Sequence, residues 1–295
     1  MSRESTHVPQ PGTLYVVATP IGNLGDISVR ATQVLHDVDV IAAEDTRHTR
    51  GLLNHLGVST PRLLSLHEHN ETRQLPGLVR LLQSGGAVAL VSDAGTPLIS
   101  DPGYRLVSKA GELDIPVIAV PGPSAVTAAL SISGLPTDRF VFEGFLPARA
   151  QARRTRLQSL SSESRTLVIF ESPKRVLDAL GDIADIFGDD RPIALCRELT
   201  KRFESVQRAP AGELSAQLRN LPGKVKGEIV LVVEGVVESP SASASAVDED
   251  LLIKLLADAL PPRRASEIAA RLTGGRKNDF YKRILKTADA DNTGK

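Results

Sequence analysis

AVALVSDAGTPLISDPG, residues 87 to 103, opens as a buried strand and closes as something a plain turn does not need. Ala87 to Val91 is an unbroken apolar run of strand length, the pattern of a strand covered on both faces. The eleven residues from Asp93 onward then hold two acids, two glycines and two prolines. Glycine permits positive φ and close backbone approach, while proline fixes φ and removes a donor. One or two such residues make a turn; six hold a loop in one irregular shape. Two other apolar runs end in the same style, at ATPIGNLGD (residues 18–26) and AVPGPSA (residues 119–125). In open α/β sheets ligands bind at the carboxyl ends of strands, so these three loops are the first place to look for a site.

Working outward, short apolar runs alternate with helical periods. TLYVVATP, VDVIAAED, AVALVSDAG and IPVIAVPG read as strands, and RGLLNHLG, TRQLPGLVRLLQSG, YRLVSKAGEL and PSAVTAALSISG as helices. Strand–helix alternation predicts a mostly parallel α/β sheet. After Gly134 the chain becomes richer in strands (RFVFEGF, RTLVIFES, PIALCREL, FESVQR, GEIVLVVEG), with KRVLDALGDIADIF and ELSAQLRNL as the clear helices, which predicts a second, mixed α/β domain. The expected division is an N-terminal α/β domain over 12–123, a C-terminal α/β domain over 124–238, a Ser/Ala linker over 239–250 and a helical appendage over 251–287. From Leu251 to Thr287 nine Lys/Arg stand against three acids, a net +6, as expected of a tethered nucleic-acid hook or of an ordinary solvated helical tail.

The chain has 295 residues and is 41% hydrophobic, enough for two cores and too apolar for general disorder. Thirty-five basic residues balance thirty-five acidic ones, so only the distribution of charge informs on partners. A single cysteine, Cys196, excludes a disulfide framework and a cysteine-built zinc cluster, and its place in PIALCREL reads as core. MSRESTHVPQPG lacks the apolar stretch of a signal peptide, and no run of eighteen apolar residues occurs, so a cytoplasmic protein is expected.

Neither G-x-G-x-x-G nor G-x-x-x-x-G-K-[ST] is present, which argues against a dinucleotide or P-loop site. The loops suit a ligand held by backbone groups and a carboxylate, without a pyrophosphate; S-adenosylmethionine fits that description. Asp93 would pair with its ammonium or ribose, or would cap the next turn through an Asx bond. Two polar clusters follow strands: AEDTRHT with Glu44, Asp45, Arg47 and His48, and LHEHNE with His67, Glu68, His69, Asn70 and Glu71. Their spacing is not that of a zinc helix. PARAQARRTR carries Arg149, Arg153, Arg154 and Arg156, with no acid between Glu143 and Glu163, which reads as a basic patch for an RNA backbone.

ATPIGNLGDIS, AAEDTRHT, LHEHNE, VSDAGTPLISDPG, PGPSA, FEGFLP, FESPKR, CRELTKRFE and GEIVLVVEG occur in that order over roughly residues 12 to 237. Together they resemble the tetrapyrrole methylase family, and within it the subgroup that methylates the 2′-oxygen of a cytidine in the decoding region of 16S ribosomal RNA. The resemblance implies two α/β domains with S-adenosylmethionine in the cleft between them. It also implies a homodimer, while the scarcity of aromatic residues points to an assembled small ribosomal subunit rather than naked RNA as the target. Carried over residue by residue, Pro20, Ile21, Asp93, Gly95, Thr96, Pro97, Ser124, Ala125, Phe170, Glu171, Gly227 and Glu228 would hold the cofactor. Glu44 or Asp45 would act as base or orient it, and Arg47 would hold a substrate phosphate. Asn23, His67, Asn70, Arg153, Arg154, Lys174 and Arg175 would face the RNA. The low aromatic content, 3% with no Trp, fits recognition by shape and phosphates rather than by base stacking. The competing expectations are a C-methyltransferase of a tetrapyrrole, whose acidic substrate would also explain arginines, and a ribosome-binding factor without catalysis.

Overall fold

The apolar runs of the first half become β1 (Leu14–Val17), β2 (Val40–Ala43), β4 (Val88–Val91) and β5 (Val117–Val120), with β3 (Arg62–Ser65) added at the edge. In the computed structural model, which describes residues 9–59, 61–220, 225–236 and 249–292, these five strands form one parallel sheet in the order β3-β2-β4-β1-β5. Strands β2 and β4 are buried at every position, because helices cover both faces. α1 (Val29–Asp37) and α2 (Thr46–His55) lie on one face; α3 (Glu71–Gln83) and α4 (Tyr104–Glu112) lie on the other.

The strand order explains that split. Leaving β1 the chain crosses over β4 to reach β2; leaving β4 it crosses over β1 to reach β5. Right-handed crossovers running in opposite directions must use opposite faces. The loops after the adjacent strands β1 and β4 therefore part company, and a crevice opens between them at the carboxyl edge.

The second sheet is mixed, in the order β6-β7-β10-β8-β9. It comprises β6 (Phe140–Phe145), β7 (Thr166–Glu171), β8 (Pro192–Arg197), β9 (Ser205–Pro210) and β10 (Ile229–Val233). Only β6 and β7 pair in parallel. α6 (Ala150–Leu160), α7 (Val176–Phe187) and α8 (Ala211–Arg219) cover one face. α5 (Ala125–Ser133) covers the other, together with Ile21 from the loop after β1. Cys196 lies in that core, fully buried, its thiol pushed up to about 11 by burial. One strand and one helix appear beyond the sequence reading: β3, whose positions are at best half-buried, and α1.

The described residues after 236, 249–292, form a separate compact unit. Three helices, α9 (Glu249–Ala259), α10 (Pro262–Thr273) and α11 (Lys277–Asn292), enclose Ile253, Ala265, Ala269, Phe280 and Ile284. The Ser/Ala stretch 239–246 lies outside the described residues. No described helix is long and apolar enough to cross a membrane.

A buried acid joins α3 and α4, the two helices on one face of the first sheet. α4 starts at Gly103 without a side-chain cap of its own. Glu71, 6% exposed at the start of α3, supplies one: its Oε1 accepts from the amides of Arg105 (2.9 Å) and Leu106 (3.3 Å). An anion at a helix N-terminus satisfies orphan donors and the helix dipole together. Glu71→Ala leaves these buried amides unpaired, a cost of roughly 1–3 kcal/mol. Circular dichroism should show a fall in Tm of about 2–4 °C per kcal/mol, whereas Glu68→Ala, at an exposed neighbour, leaves Tm unchanged.

Candidate active site

The crevice is tied at its floor by backbone. Thr19 and Gly95 exchange two hydrogen bonds, Thr19 N–H to Gly95 O (2.9 Å) and Gly95 N–H to Thr19 O (3.0 Å), joining the loops after β1 and β4. Thr96 Oγ1 donates to Pro123 O at 3.1 Å and ties in the loop after β5. Gly95 has φ +86°, and a Cβ there would stand 3.2 Å from Ile21 Cγ2. Beyond it Leu98 (φ 72°) and Ser100 (φ 68°) are also left-handed, although neither is glycine. Each such residue costs about 1–3 kcal/mol, a strain typical of ligand loops. Ser100 reaches the second sheet at Gly144, where a Cβ would stand 3.1 Å from Ser100 Oγ. Gly144 sits at the register shift of β6, so the bulge makes room for the loop. The six breakers thus build a strained bridge from one sheet to the other.

Under that bridge lies a cavity of about 360 Å³, within the usual range of small-molecule sites. Ile21, Gly95, Thr96, Ser124, Ala125, Phe170, Glu171, Gly227 and Glu228, all expected from the sequence, line it. So do Ile99, Ser100, Asp101 and Phe145, which were not expected. Its chemistry fits S-adenosylmethionine. No Lys or Arg is among the lining residues, so nothing there answers a pyrophosphate. The N-terminus of α5 opens on it with no side chain capping Ser124, which leaves amides for a carboxylate. Phe170 offers an apolar ring, stacked edge-on against Phe142 and Phe145.

Three of the expected cofactor residues stand elsewhere. Pro20 and Asp93 line a neighbouring cavity with Arg47 and His48. Pro97 is buried beneath the loop and does not line the cofactor cavity. Two cavity carboxylates are already engaged. Glu171 is fully buried and accepts from Ser172 N–H (2.7 Å) and Arg175 Nη2 (3.0 Å). Glu228 meets Lys201 Nζ at 3.1 Å, and the Lys201 stem lies where a side chain at Gly22 would have to go.

A second, larger cavity of about 720 Å³ lies on the other side of Ser100 and Asp101. Glu44, His67, Glu68, His69 and Tyr104 are among its walls. The Glu44 carboxyl is raised, first by burial and then by Asp93. Asp101 is raised to about 6, by burial and then by Glu44, against a lowering hydrogen bond from Ser92. Sequence reasoning passed over Asp101 although it is the second acid of the opening loop. Asp93 uses Oδ1 to accept from Asp45 N–H (3.0 Å), holding the end of β2 against the end of β4. No group of His, Cys, Asp and Glu among the described residues is arranged to hold a metal.

Several sequence expectations need correction. Asp45 caps α2 and is gripped by Arg47 through Nε (3.1 Å) and Nη2 (2.7 Å), which holds its carboxyl far below the usual range and makes it a poor base. Arg47, 87% exposed, is correspondingly committed to Asp45. Asn70 is buried, accepting from His67 N–H and donating to Ser65 O, so it shapes the loop rather than facing a substrate. Arg175 turns inward onto Glu171 and Leu146 O. The PARAQARRTR patch is largely neutralised. Arg153 is 5% exposed with Nε 2.7 Å from Asp182, Arg154 bridges Asp182 and Asp185, and Arg156 pairs with Glu143. Asp182 and Asp185 come from α7, 28 to 31 residues further along the chain, which a local count of acids does not see, while Glu143 of β6 borders the acid-free stretch itself. Lys174 and Asn23 remain exposed.

A model described as Tetrapyrrole (Corrin/Porphyrin) Methylases matches residues 13–215. The chain belongs to the tetrapyrrole methylase family. A second model, the RsmI C-terminal HTH domain, matches residues 242–288. Among curated members, the ribosomal RNA small subunit methyltransferase I of Pseudomonas aeruginosa is 49% identical over 276 residues, 93% of this chain and 97% of that protein. Its counterpart in Escherichia coli O157:H7 is 48% identical over 281 residues, 93% of this chain and 95% of the relative. A solved uroporphyrin-III-C-methyltransferase of Thermus thermophilus shares the family fold with a TM-score of 0.52 at 22% identity, over 76% of this chain and 94% of that one.

The buried Arg153–Asp182 pair gives a direct check on the corrected patch. Asp182→Ala strands a buried guanidinium and should cost about 3–5 kcal/mol in denaturant unfolding. A change near zero would mean that Arg153 is free to turn outward.

Proposed function

We propose that the chain is an S-adenosylmethionine-dependent methyltransferase of ribosomal RNA that methylates the 2′-oxygen of a cytidine in the decoding region of 16S RNA. The observation that carries the methyl-transfer reading is the pair of cavities sharing one wall. One is apolar, free of Lys and Arg, and fits the cofactor; the other is wide, polar and lined by titratable groups. The likeness to ribosomal RNA methyltransferases over more than nine-tenths of both chains supports RNA as acceptor. The target nucleotide and atom rest on the sequence resemblance, as does a homodimer; a cytoplasmic location rests on the single cysteine and the apolar pattern, and the assembled small subunit as substrate on the low aromatic content.

The bound cofactor supplies an activated methyl group on a sulfonium, already a good leaving group. The protein must orient the acceptor and take its proton. Ser124 and Ala125 at the α5 N-terminus suit the cofactor carboxylate, and Phe170 its adenine. Glu44, His67 and His69 present polar groups to the acceptor. The C-terminal unit adds an RNA hook: Arg263, Arg264, Arg271, Arg276, Lys277 and Lys282 are exposed around its apolar core.

A tetrapyrrole acceptor is the alternative that the solved fold relatives bring to mind, but at 22% identity they speak for fold alone. The deciding experiment offers tritiated S-adenosylmethionine with small ribosomal subunits from a strain lacking this protein. Label resistant to alkaline hydrolysis at one ribose supports the proposal. Bound cofactor with no label on the subunits moves the substrate elsewhere, and subunit binding without cofactor binding makes the chain a non-catalytic factor. Gly95→Ala forces a side chain onto left-handed backbone beside Ile21. At about 1–3 kcal/mol of strain it should weaken cofactor binding about tenfold or more in calorimetry.

A further inference from the structure

The loop from β8 to β9, ELTKRFE at residues 198–204, is pinned at its base and bare at its tip. Leu199 is buried in the same core as Ile21 from the loop after β1. Lys201 Nζ meets Glu198 at 2.9 Å and Glu228 at 3.1 Å, and Glu198 also accepts from Glu228 N–H (2.9 Å). Thr200 N–H donates to Glu204 Oε2 at 2.5 Å. Glu198 (φ 53°) and Thr200 (φ 66°) are left-handed without being glycine, a strain that collects at ligand clamps. Nothing inside the fold uses what this base displays. Phe203 is 67% exposed, the most exposed phenylalanine among the described residues. Arg202, also exposed, holds its guanidinium carbon 5.6 Å from the centre of that ring. The acids nearby are engaged, Glu198 and Glu228 by Lys201 and Glu204 by backbone, and Arg202 has no carboxylate partner among the described residues.

A rigid base under a free tip lowers the entropy lost when another molecule is bound. The tip is too small and too polar in its surroundings to be a protein interface by itself. Such an interface takes roughly 800 Å² per partner, whereas Glu204, Gln207 and Arg208 beside Phe203 are exposed and polar. An aromatic face with an unpaired guanidinium suits an unpaired nucleotide. The ring stacks on the base whatever its identity, and the planar fork of arginine takes a phosphate.

We propose that Phe203 and Arg202 form a stacking platform for an unpaired base of the RNA acceptor, the ring against the base and the guanidinium on an adjoining phosphate. The proposal rests on the RNA-acceptor reading above and adds a contact outside both cavities. Lys201 fixes its place: Nζ holds Glu228 on the wall of the cofactor cavity, and the stem abuts Gly22 of the loop after β1. Phe203 stands two residues further on. The base it takes is therefore a neighbour of the methylated nucleotide, which belongs in the larger cavity. Aromatic residues are few in this chain, and this one is held outward at the rim of the donor site.

The test uses the full chain and small ribosomal subunits from a strain lacking this protein. Phe203→Ala should weaken subunit binding and raise KM for subunits about 5–150-fold, the worth of one base stacked on an aromatic ring, with S-adenosylmethionine affinity and Tm as in the wild type. Phe203→Trp should bind as the wild type does. Phe203→Leu, apolar but unable to stack, should behave like Phe203→Ala. Arg202→Gln should flatten the slope of log Kd against log salt by about 0.7–0.9. Subunit affinity and salt slope unchanged in Phe203→Ala and Arg202→Gln would overturn the platform. Wild-type affinity in Phe203→Leu would make the contact generically apolar and defeat stacking. A changed sedimentation coefficient in Phe203→Ala with subunit affinity intact would make the tip a contact between copies of the chain instead. Should Phe203→Ala unfold, Arg202→Gln still decides. A wild type that methylates subunits while both variants match it defeats the platform alone; a wild type that neither binds nor methylates them removes the RNA reading and the platform together.

Discussion

The two hydrogen bonds exchanged by Thr19 and Gly95 hold together loops that the sheet topology drives apart. Chains leaving adjacent strands toward opposite faces open a crevice, and an open crevice is only a slot. Pinned at its floor by one residue pair, it becomes a fixed seat, with Ile21 carried into the core of the second sheet. The rest of the bridge follows from that pin. Left-handed Leu98 and Ser100 swing the chain outward, the β6 bulge receives it at Gly144, and Asp101 lands between two cavities. Strain of this kind persists only where the surroundings over-determine it.

Much of this was legible in the sequence because the signals were local. Unbroken apolar runs ending in Gly and Pro located three loops at one sheet edge, and the fold class followed from alternation. β3 escaped notice because RLLS is a short edge strand with no buried face to impose a pattern. The inward face of α6 was obscured by its polarity: AQARRTRLQSL buries an arginine alongside Leu157 and Leu160. What failed, failed for want of distance information. Asp182 and Asp185 lie on α7, yet they neutralise arginines of α6. Asp101 carries no signal beyond being an acid after Ser100, and its standing comes from which surfaces it separates.

The charge distribution is therefore uneven in a useful way. Arginines that looked like an RNA patch hold the second domain together, where paired and partly buried charges stabilise by mutual satisfaction rather than by reaching outward. Exposed cations remain in both parts of the chain, among them Arg50, Arg62, Arg80, Arg149 and Lys174 before residue 236, and Arg263, Arg264, Arg271, Lys277 and Lys282 on α10 and α11.

The account stands on donor and acceptor meeting at the Ser100–Asp101 wall. The most direct measurement is a crystal structure with the demethylated product, S-adenosylhomocysteine, bound. It should place the ligand in the cavity lined by Gly95, Ser124 and Phe170, with the side occupied by Glu44 and His67 left open. Ligand in the larger cavity would contradict it.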